Sequence, residues 1–341
     1  MISVKILLFN DKSSKKLRYV SDAVVIAALE KHVSCESLDV SDLRLETGKM
    51  NPDEYLKRLS ACIREEGADA VICTSLKGLR LVCKAKRRED LQILTCIIIS
   101  DYSSLPASYD TQADCIFVPH EEIRSRLIKD GIESRRIFVT GIPVKKSFRE
   151  RIGKAAARNY LVIPKNKRVY LLIPDGLELN DIIRLCEELS CTEKEEYLLY
   201  IPTPRCSVIR DRLMEYAAGS STVRIITYTR QLNLYIESAD AMLLKPDSLT
   251  STEAAVSGVP IVHLFLNTDN KNGSSDFFAN HEMAVIGRNI CDTVKKAKCF
   301  AEQKAMAARV IQMQYRNICA DSADKIIEII MKMRPKAADL K

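Results

Sequence analysis

Tryptophan is absent from this 341-residue chain, histidine occurs four times and glycine only 11 times. Each scarcity excludes something. The 12 cysteines are scattered singly, with no C-x-x-C pair, so neither zinc-ligand spacing nor a disulfide framework is present, and no metal is expected. No apolar run approaches the roughly 20 residues that span a bilayer. The first turn after the opening apolar run reads Asn10-Asp-Lys-Ser-Ser-Lys-Lys16. It lacks the glycines that bring a backbone against a phosphate in dinucleotide-binding turns. No basic stretch is interleaved with aromatics, which argues against nucleic acid as a partner.

What is present is an α/β pattern. At 47% hydrophobic, the chain can bury two ordinary cores. Met1–Asn10 reads as a first strand, not a signal peptide. Cys73, Cys96 and Cys115 lie inside apolar strands, where cysteine acts as a small hydrophobe, and a reducing cytoplasm is the expected setting. Charge is uneven. Residues 1–170 hold 31 basic against 22 acidic residues, while the remainder holds 21 against 23. The first half is therefore expected to meet an anionic surface or ligand, with a solvated basic face as the alternative.

Strands are expected at Val4–Phe9, Ala68–Thr74, Ile93–Ile99, Ala113–Val118 and Arg136–Thr140. A second series runs Arg168–Ile173, Tyr197–Ile201, Val223–Tyr228, Ala241–Lys245, Ile261–Phe265 and Met283–Ile286, with helices between. Helices are expected at Ser21–Lys31, Pro52–Glu66 and Glu121–Lys129, and a last helical stretch from about Asp292 to Arg334. Asn10–Arg18 reads as a basic loop. Lys145–Arg168, with nine basic residues and one acidic, reads as a solvated hinge. Two doubly wound domains, 1–147 and 148–341, facing across a cleft, follow from this alternation, with the terminal helices on the second.

The chain is organised around 241–260, Ala-Met-Leu-Leu-Lys-Pro-Asp-Ser-Leu-Thr-Ser-Thr-Glu-Ala-Ala-Val-Ser-Gly-Val-Pro. Thr250 with Glu253 three positions on fits a capping box, so a helix is expected to begin there. Gly258 fits a left-handed stop and Pro260 forbids continuation. A helix start at the carboxyl end of a parallel strand is an anion site in an open sheet, although any βαβ crossover has the same outline. Leu76–Arg88 is a basic amphipathic helix. Lys84, Lys86, Arg87 and Arg88 are candidates for an anionic membrane surface, or the helix is a crossover with a wet face.

Cys-Ile-Ile-Ile-Ser-Asp-Tyr102, Ala-Asp-Cys-Ile-Phe-Val-Pro-His-Glu-Glu122 and the run ending Phe-Val-Thr-Gly-Ile-Pro-Val144 resemble the first domain of the monogalactosyldiacylglycerol synthases and processive diacylglycerol glucosyltransferases. The stretch after Ala241 resembles their donor motif, Lys-Pro-Gly-Gly-Leu-Thr-x-x-Glu-Ala. The bacterial cell-wall N-acetylglucosaminyltransferase is a more distant relative with the same layout. The resemblance implies a GT-B glycosyltransferase moving a hexosyl group from a UDP-sugar to a diacylglycerol-type lipid, with no other cofactor. It also implies a cytoplasmic protein held peripherally at the membrane. By this resemblance Asp247, Ser248, Leu249 and Thr250 face the diphosphate, Glu253 the ribose, and Tyr228 and Thr229 the uracil. Tyr102, Gly141, Ile142, Pro143 and Gly176 would line the cleft.

The departures are specific. The family's first loop carries glycines and a histidine, and nothing between Asn10 and Arg18 matches it. The family's histidine after the Asp-Tyr pair is replaced within Ser103–Tyr109 by Ser, Leu, Pro and Ala. Pro174-Asp-Gly-Leu-Glu178 keeps one glycine of a glycine-rich turn, and Asp247-Ser248 stand where two glycines are usual. Asn267–Gly273 stands in place of the family's Pro-Gly-x-Glu segment. The remaining candidate base is Asp101, or Asp11 in the opposing loop, and Asp101 equally fits a cap for the helix after it. His120 and His263 read as structural. A degenerate transferase and a non-catalytic lipid- or nucleotide-binding relative both fit these residues.

Overall fold

The computed structural model describes residues 4–10, 14–39, 51–103, 112–193, 196–205, 208–227, 229, 231–264 and 273–333. The chain divides into two compact units: Met1–Lys146 with Cys319–Lys341, and Ser147–Ile318.

The first unit alternates β1 (Lys5–Asn10), α1 (Lys15–Glu30), β2 (Ser34–Asp39), α2 (Pro52–Glu65), β3 (Ala70–Cys73), α3 (Leu76–Arg88) and β4 (Leu94–Ile98). β5 (Cys115–Val118), α4 (Glu121–Lys129) and β6 (Ile137–Val139) follow. All pairings are parallel, in the order β2-β1-β3-β4-β5-β6. β3, β4 and β5 are buried at every residue, which is why they read as unbroken apolar runs.

The boundary falls within α5 (Lys146–Arg149), and the second unit continues with α6 (Lys154–Tyr160), β7 (Arg168–Ile173), α7 (Leu179–Glu193), β8 (Tyr197–Thr203), α8 (Val208–Ala218) and β9 (Val223–Thr227). It continues through α9 (Leu232–Ser238), β10 (Ala241–Leu244), α10 (Ser248–Ser257), β11 (Ile261–Leu264), α11 (Gly273–Asn280) and β12 (Val285–Gly287). α12 (Ile290–Glu302) and α13 (Lys304–Asn317) close it. The parallel order β12-β11-β10-β7-β8-β9 is that of a dinucleotide-binding sheet, and its strand order reverses between β7 and β10.

The two doubly wound domains are as expected, but the details differ in four places. β2 was not expected, because Ser-Cys-Glu-Ser-Leu-Asp has no apolar run; it is an edge strand with only Asp39 buried. α1 starts at Lys15 within the expected loop, because Ser14 caps it by accepting the Leu17 N–H at 3.4 Å. The expected hinge Lys145–Arg168 holds α6, whose cations have acidic partners. Arg158 donates to Asp240 at 2.7 Å and to the Ser238 carbonyl at 2.9 Å, and Glu237 accepts the Gly153 N–H at 2.9 Å. Finally, the terminal helices are shared between units. α14 (Ser322–Met333) packs on α1 of the first, where Lys31 pairs with Glu328 at 2.8 Å.

Candidate functional site

The carboxyl ends of β7 and β10 flank the switch point of the second sheet, and the residues that follow these strands form the candidate site. After β7, the chain turns at Gly176, whose φ is +75°. After β10, it turns at Pro246 into α10. Lys245 spans the two, its Nζ donating to the Gly176 carbonyl at 3.2 Å. A β-carbon on Gly176 would lie 3.2 Å from Lys245 Cδ, so the glycine permits both the backbone turn and the approach of the lysine. Lys245 was not singled out from the sequence. Its position immediately after the strand, before Pro-Asp, was the available signal.

The helix does not start at Thr250. Asp247 is the N-cap, with φ −142° and ψ 134°, and α10 begins at Ser248. Asp247 Oδ1 accepts the Thr250 N–H at 2.9 Å and the Thr250 hydroxyl at 3.1 Å. The expected capping box is thus displaced by three residues, because aspartate ahead of Ser-Leu-Thr is the better-placed cap. Gly258 ends the helix at φ +70°, as its composition predicts.

Ser248 is buried, and its hydroxyl is bonded to that of Ser274 at the start of α11. Leu249 is a core residue, 5% exposed. Thr250 is half-buried, and Glu253, a turn later, is buried. Ser251 meets His263 Nε2 at 2.9 Å, tying α10 to β11. Burial lowers the His263 pKa to about 3, with the Asp247 carboxylate pulling it the other way, so the ring is neutral. Thr229 accepts the Gln231 N–H through its hydroxyl at 3.0 Å. Tyr228 lies outside the described residues, as do Asp11 and 265–272.

In the first unit, Asp101 and Tyr102 follow β4. Asp101 Oδ1 accepts the Ser103 N–H at 2.8 Å, a local turn bond, and Tyr102 is buried. Gly141, Ile142 and Pro143, expected to line the cleft, are buried residues of the first unit. Gly141 sits at φ +90°, and a β-carbon there would lie 3.0 Å from Cys319 Cβ and 3.1 Å from its carbonyl oxygen. Its own carbonyl accepts from Ser322 Oγ at 2.9 Å, while Ile142 and Pro143 are buried. His120 caps α4, its Nδ1 accepting the Glu122 N–H at 3.3 Å.

α3 is the amphipathic helix expected at Leu76–Arg88. Its apolar residues Leu79, Val82, Cys83 and Ala85 are buried in the first unit's core, so no apolar stripe is left to enter a bilayer. Lys86 is paired with Asp114 at 2.8 Å and Arg88 with Asp53 at 2.6 Å. Lys84 and Arg87 remain exposed, so any membrane attraction here is electrostatic. No helix among the described residues is long and apolar enough to cross a membrane.

Residues 49–144 match the family described as monogalactosyldiacylglycerol (MGDG) synthase, and residues 107–331 the family described as UDP-N-acetylglucosamine 2-epimerase. Similar curated proteins include the processive diacylglycerol beta-glucosyltransferase of Bacillus licheniformis, 23% identical over 233 residues, which are 67% of this chain and 60% of that protein. The Bacillus subtilis protein of the same name is 21% identical over 279 residues, 81% of this chain and 72% of that one. The chain therefore matches well under the full length of these relatives.

Among solved structures, a glycosyltransferase from Rickettsia africae superposes with TM-score 0.70 at 12% identity, over 97% of this chain and 99% of that one. The UDP-GlcNAc 2-epimerase of Neisseria meningitidis, solved with UDP-GlcNAc, gives 0.69 at 13%, over 96% and 100%. Acinetobacter baumannii MurG gives 0.65 at 13%, over 96% and 100%. These likenesses are of fold. The chain has the GT-B fold and belongs to the family described as UDP-N-acetylglucosamine 2-epimerase, whose model matches residues 107–331, while residues 49–144 are similar to the monogalactosyldiacylglycerol synthases.

Proposed function

We propose that the chain transfers a hexosyl group from a UDP-sugar to a diacylglycerol-type lipid. The observation that carries this reading is the switch point of the second sheet. There a helix N-terminus and Lys245 meet at the carboxyl edge, with Glu253 one turn behind. The α10 N-terminus and Lys245 would stabilise the negative charge that grows on the departing UDP. Glu253 offers two acceptor oxygens to a ribose diol, and Tyr228 and Thr229 would meet the uracil. Asp101 would receive the acceptor's hydroxyl proton. The cations Lys84 and Arg87 are available to an anionic membrane surface that supplies the lipid.

The test is calorimetric titration of UDP, followed by turnover assays with UDP-glucose and UDP-galactose on diacylglycerol vesicles. Micromolar UDP binding with lipid glycosylation is expected. Glu253→Gln should weaken UDP binding without a loss of melting temperature, and Asp101→Asn should stop turnover while leaving binding intact. Millimolar UDP without binding rules the reading out. Binding without turnover instead selects the non-catalytic relative. The match of 107–331 to the epimerase family favours one further substrate in the same assay, UDP-GlcNAc incubated without acceptor.

A further inference from the structure

We propose that the first unit holds a ligand site of its own, at the amino edge of its sheet, which takes the phosphate ester of a polyol. A cavity of about 360 Å³ lies at the end of α3, a size that small-ligand pockets commonly have. Cys83 and Leu91 are the buried part of its lining, and Lys86, Arg87, Asp90, Gln92 and Gln112 bring charged and amide groups to it. Gln92 lies just ahead of β4 and Gln112 just ahead of β5, whereas Asp101 and Tyr102 follow β4 at the other edge. The five residues of β4, roughly 16 Å of strand, separate the two edges. The inference therefore does not depend on the donor reading.

The lining and its surroundings point to the ligand. Lys77, Arg80, Lys84 and Arg87 recur at steps of three and four, so they form one exposed row along α3. Lys86 and Arg88 are taken up by Asp114 and Asp53, but no member of the row has an acidic partner among the described residues. The row draws anions along the helix, and at its end Arg87 brings to the cavity a guanidinium fork that matches a phosphate. Asp90 supplies the opposite chemistry. Its φ of +48° is left-handed backbone that glycine holds without strain, yet a carboxylate stands there. Asp90 Oδ1 accepts from Gln92 Nε2 at 3.1 Å, which orients the amide and leaves the second carboxylate oxygen to accept a ligand hydroxyl. A phosphate fork beside a hydroxyl acceptor fits a polyol phosphate better than bare phosphate or a neutral sugar. A free glycerol phosphate and the headgroup of phosphatidylglycerol share that chemistry.

The experiment has two arms on the full chain. In the first, glycerol phosphate, inorganic phosphate and glycerol are titrated by calorimetry. Glycerol phosphate is expected to bind about tenfold or more tighter than either fragment, and Arg87→Gln or the cavity-filling, charge-neutral Gln92→Trp to weaken it by about tenfold or more. Asp90→Gly is expected to bring glycerol phosphate down to the affinity of inorganic phosphate without lowering the melting temperature. In the second arm, the wild type and Gln92→Trp are sedimented with phosphatidylcholine vesicles with and without phosphatidylglycerol. Loss of the phosphatidylglycerol-dependent binding in Gln92→Trp identifies the lipid headgroup as the ligand. Vesicle binding indifferent to Gln92→Trp, with the calorimetric losses present, identifies the free polyol phosphate. Binding untouched by Gln92→Trp in both arms overturns the site and leaves α3 a charged face only. A wild type that binds glycerol phosphate no tighter than inorganic phosphate, and vesicles no better with phosphatidylglycerol than without, overturns it as well.

Discussion

Lys245 Nζ donates to the Gly176 carbonyl at 3.2 Å, so a single side chain joins the turns after β7 and β10 on either side of the point where the strand order reverses. An exposed lysine that spends a hydrogen bond on a turn carbonyl is weak glue, since such contacts contribute on the order of 1 kcal/mol or less. In the function proposed above, its placement serves the ligand more than folding.

Lys245→Met is accordingly expected to lower UDP affinity about tenfold, while changing folding stability by about 0.5 kcal/mol or less. Calorimetry and urea unfolding read the two effects separately. Loss of stability with unchanged affinity would assign the residue to the turn alone.

Gly141→Ala tests the return of the C-terminal helix. The residue has φ +90°, and a β-carbon would meet the Cys319 carbonyl at 3.1 Å, a backbone atom that cannot rotate away. Strain and steric conflict together are expected to cost about 2–4 kcal/mol. Protease cleavage after 318 should quicken in the variant. UDP binding is expected to persist, because Gly141 and the donor-site residues belong to different units.

His263 predicts an acid limb. Burial, opposed by Asp247, lowers its pKa from the usual 6.5 to about 3. The unfolded chain takes up this proton near pH 6.5 and the folded chain only near 3. Its contribution to stability is therefore complete above about pH 6.5 and falls by about 1.4 kcal/mol per pH unit below it. His263→Gln, which can still reach Ser251, should flatten that slope by one proton between about pH 6 and 4. Urea midpoints measured across this range for both proteins give the comparison.

The basic residues of α3 should separate into two classes. Neutralising Lys84 and Arg87 together is expected to weaken partition onto anionic vesicles by about 2 kcal/mol without affecting melting. Lys86→Ala removes a partner of Asp114, whose carboxyl burial pushes up but Lys86 and Thr95 together hold below its usual value. Its expected cost is about 0.5–1 kcal/mol of stability, discounted because both groups are partly exposed. Equal vesicle binding by all variants would dismiss this helix as a membrane contact.

Much of the site was legible because its signals are local. The strand Ala241–Leu244, the stop at Gly258 and the Pro246-Asp247 break each follow from a few adjacent residues. The helix start was misplaced because Thr250 and Asp247 are both good caps. Choosing between them requires knowing where β10 leaves the sheet. β2 escaped notice because an edge strand needs no apolar run, and the basic stretch around Arg158 looked solvated because its acidic partners Glu237 and Asp240 lie some 80 residues away.

The sequence alone determined the alternation of strands and helices, the parallel sheets buried on both faces, and the kinship to GT-B proteins. All three are written in short-range patterns of apolar residues and turns. Tertiary structure decided which unit receives the last helix, that Lys245 reaches Gly176, and that Asp247 rather than Thr250 caps α10. Strand order and the meeting of distant turns depend on long-range pairing, and no local pattern in the chain encodes which ends come together.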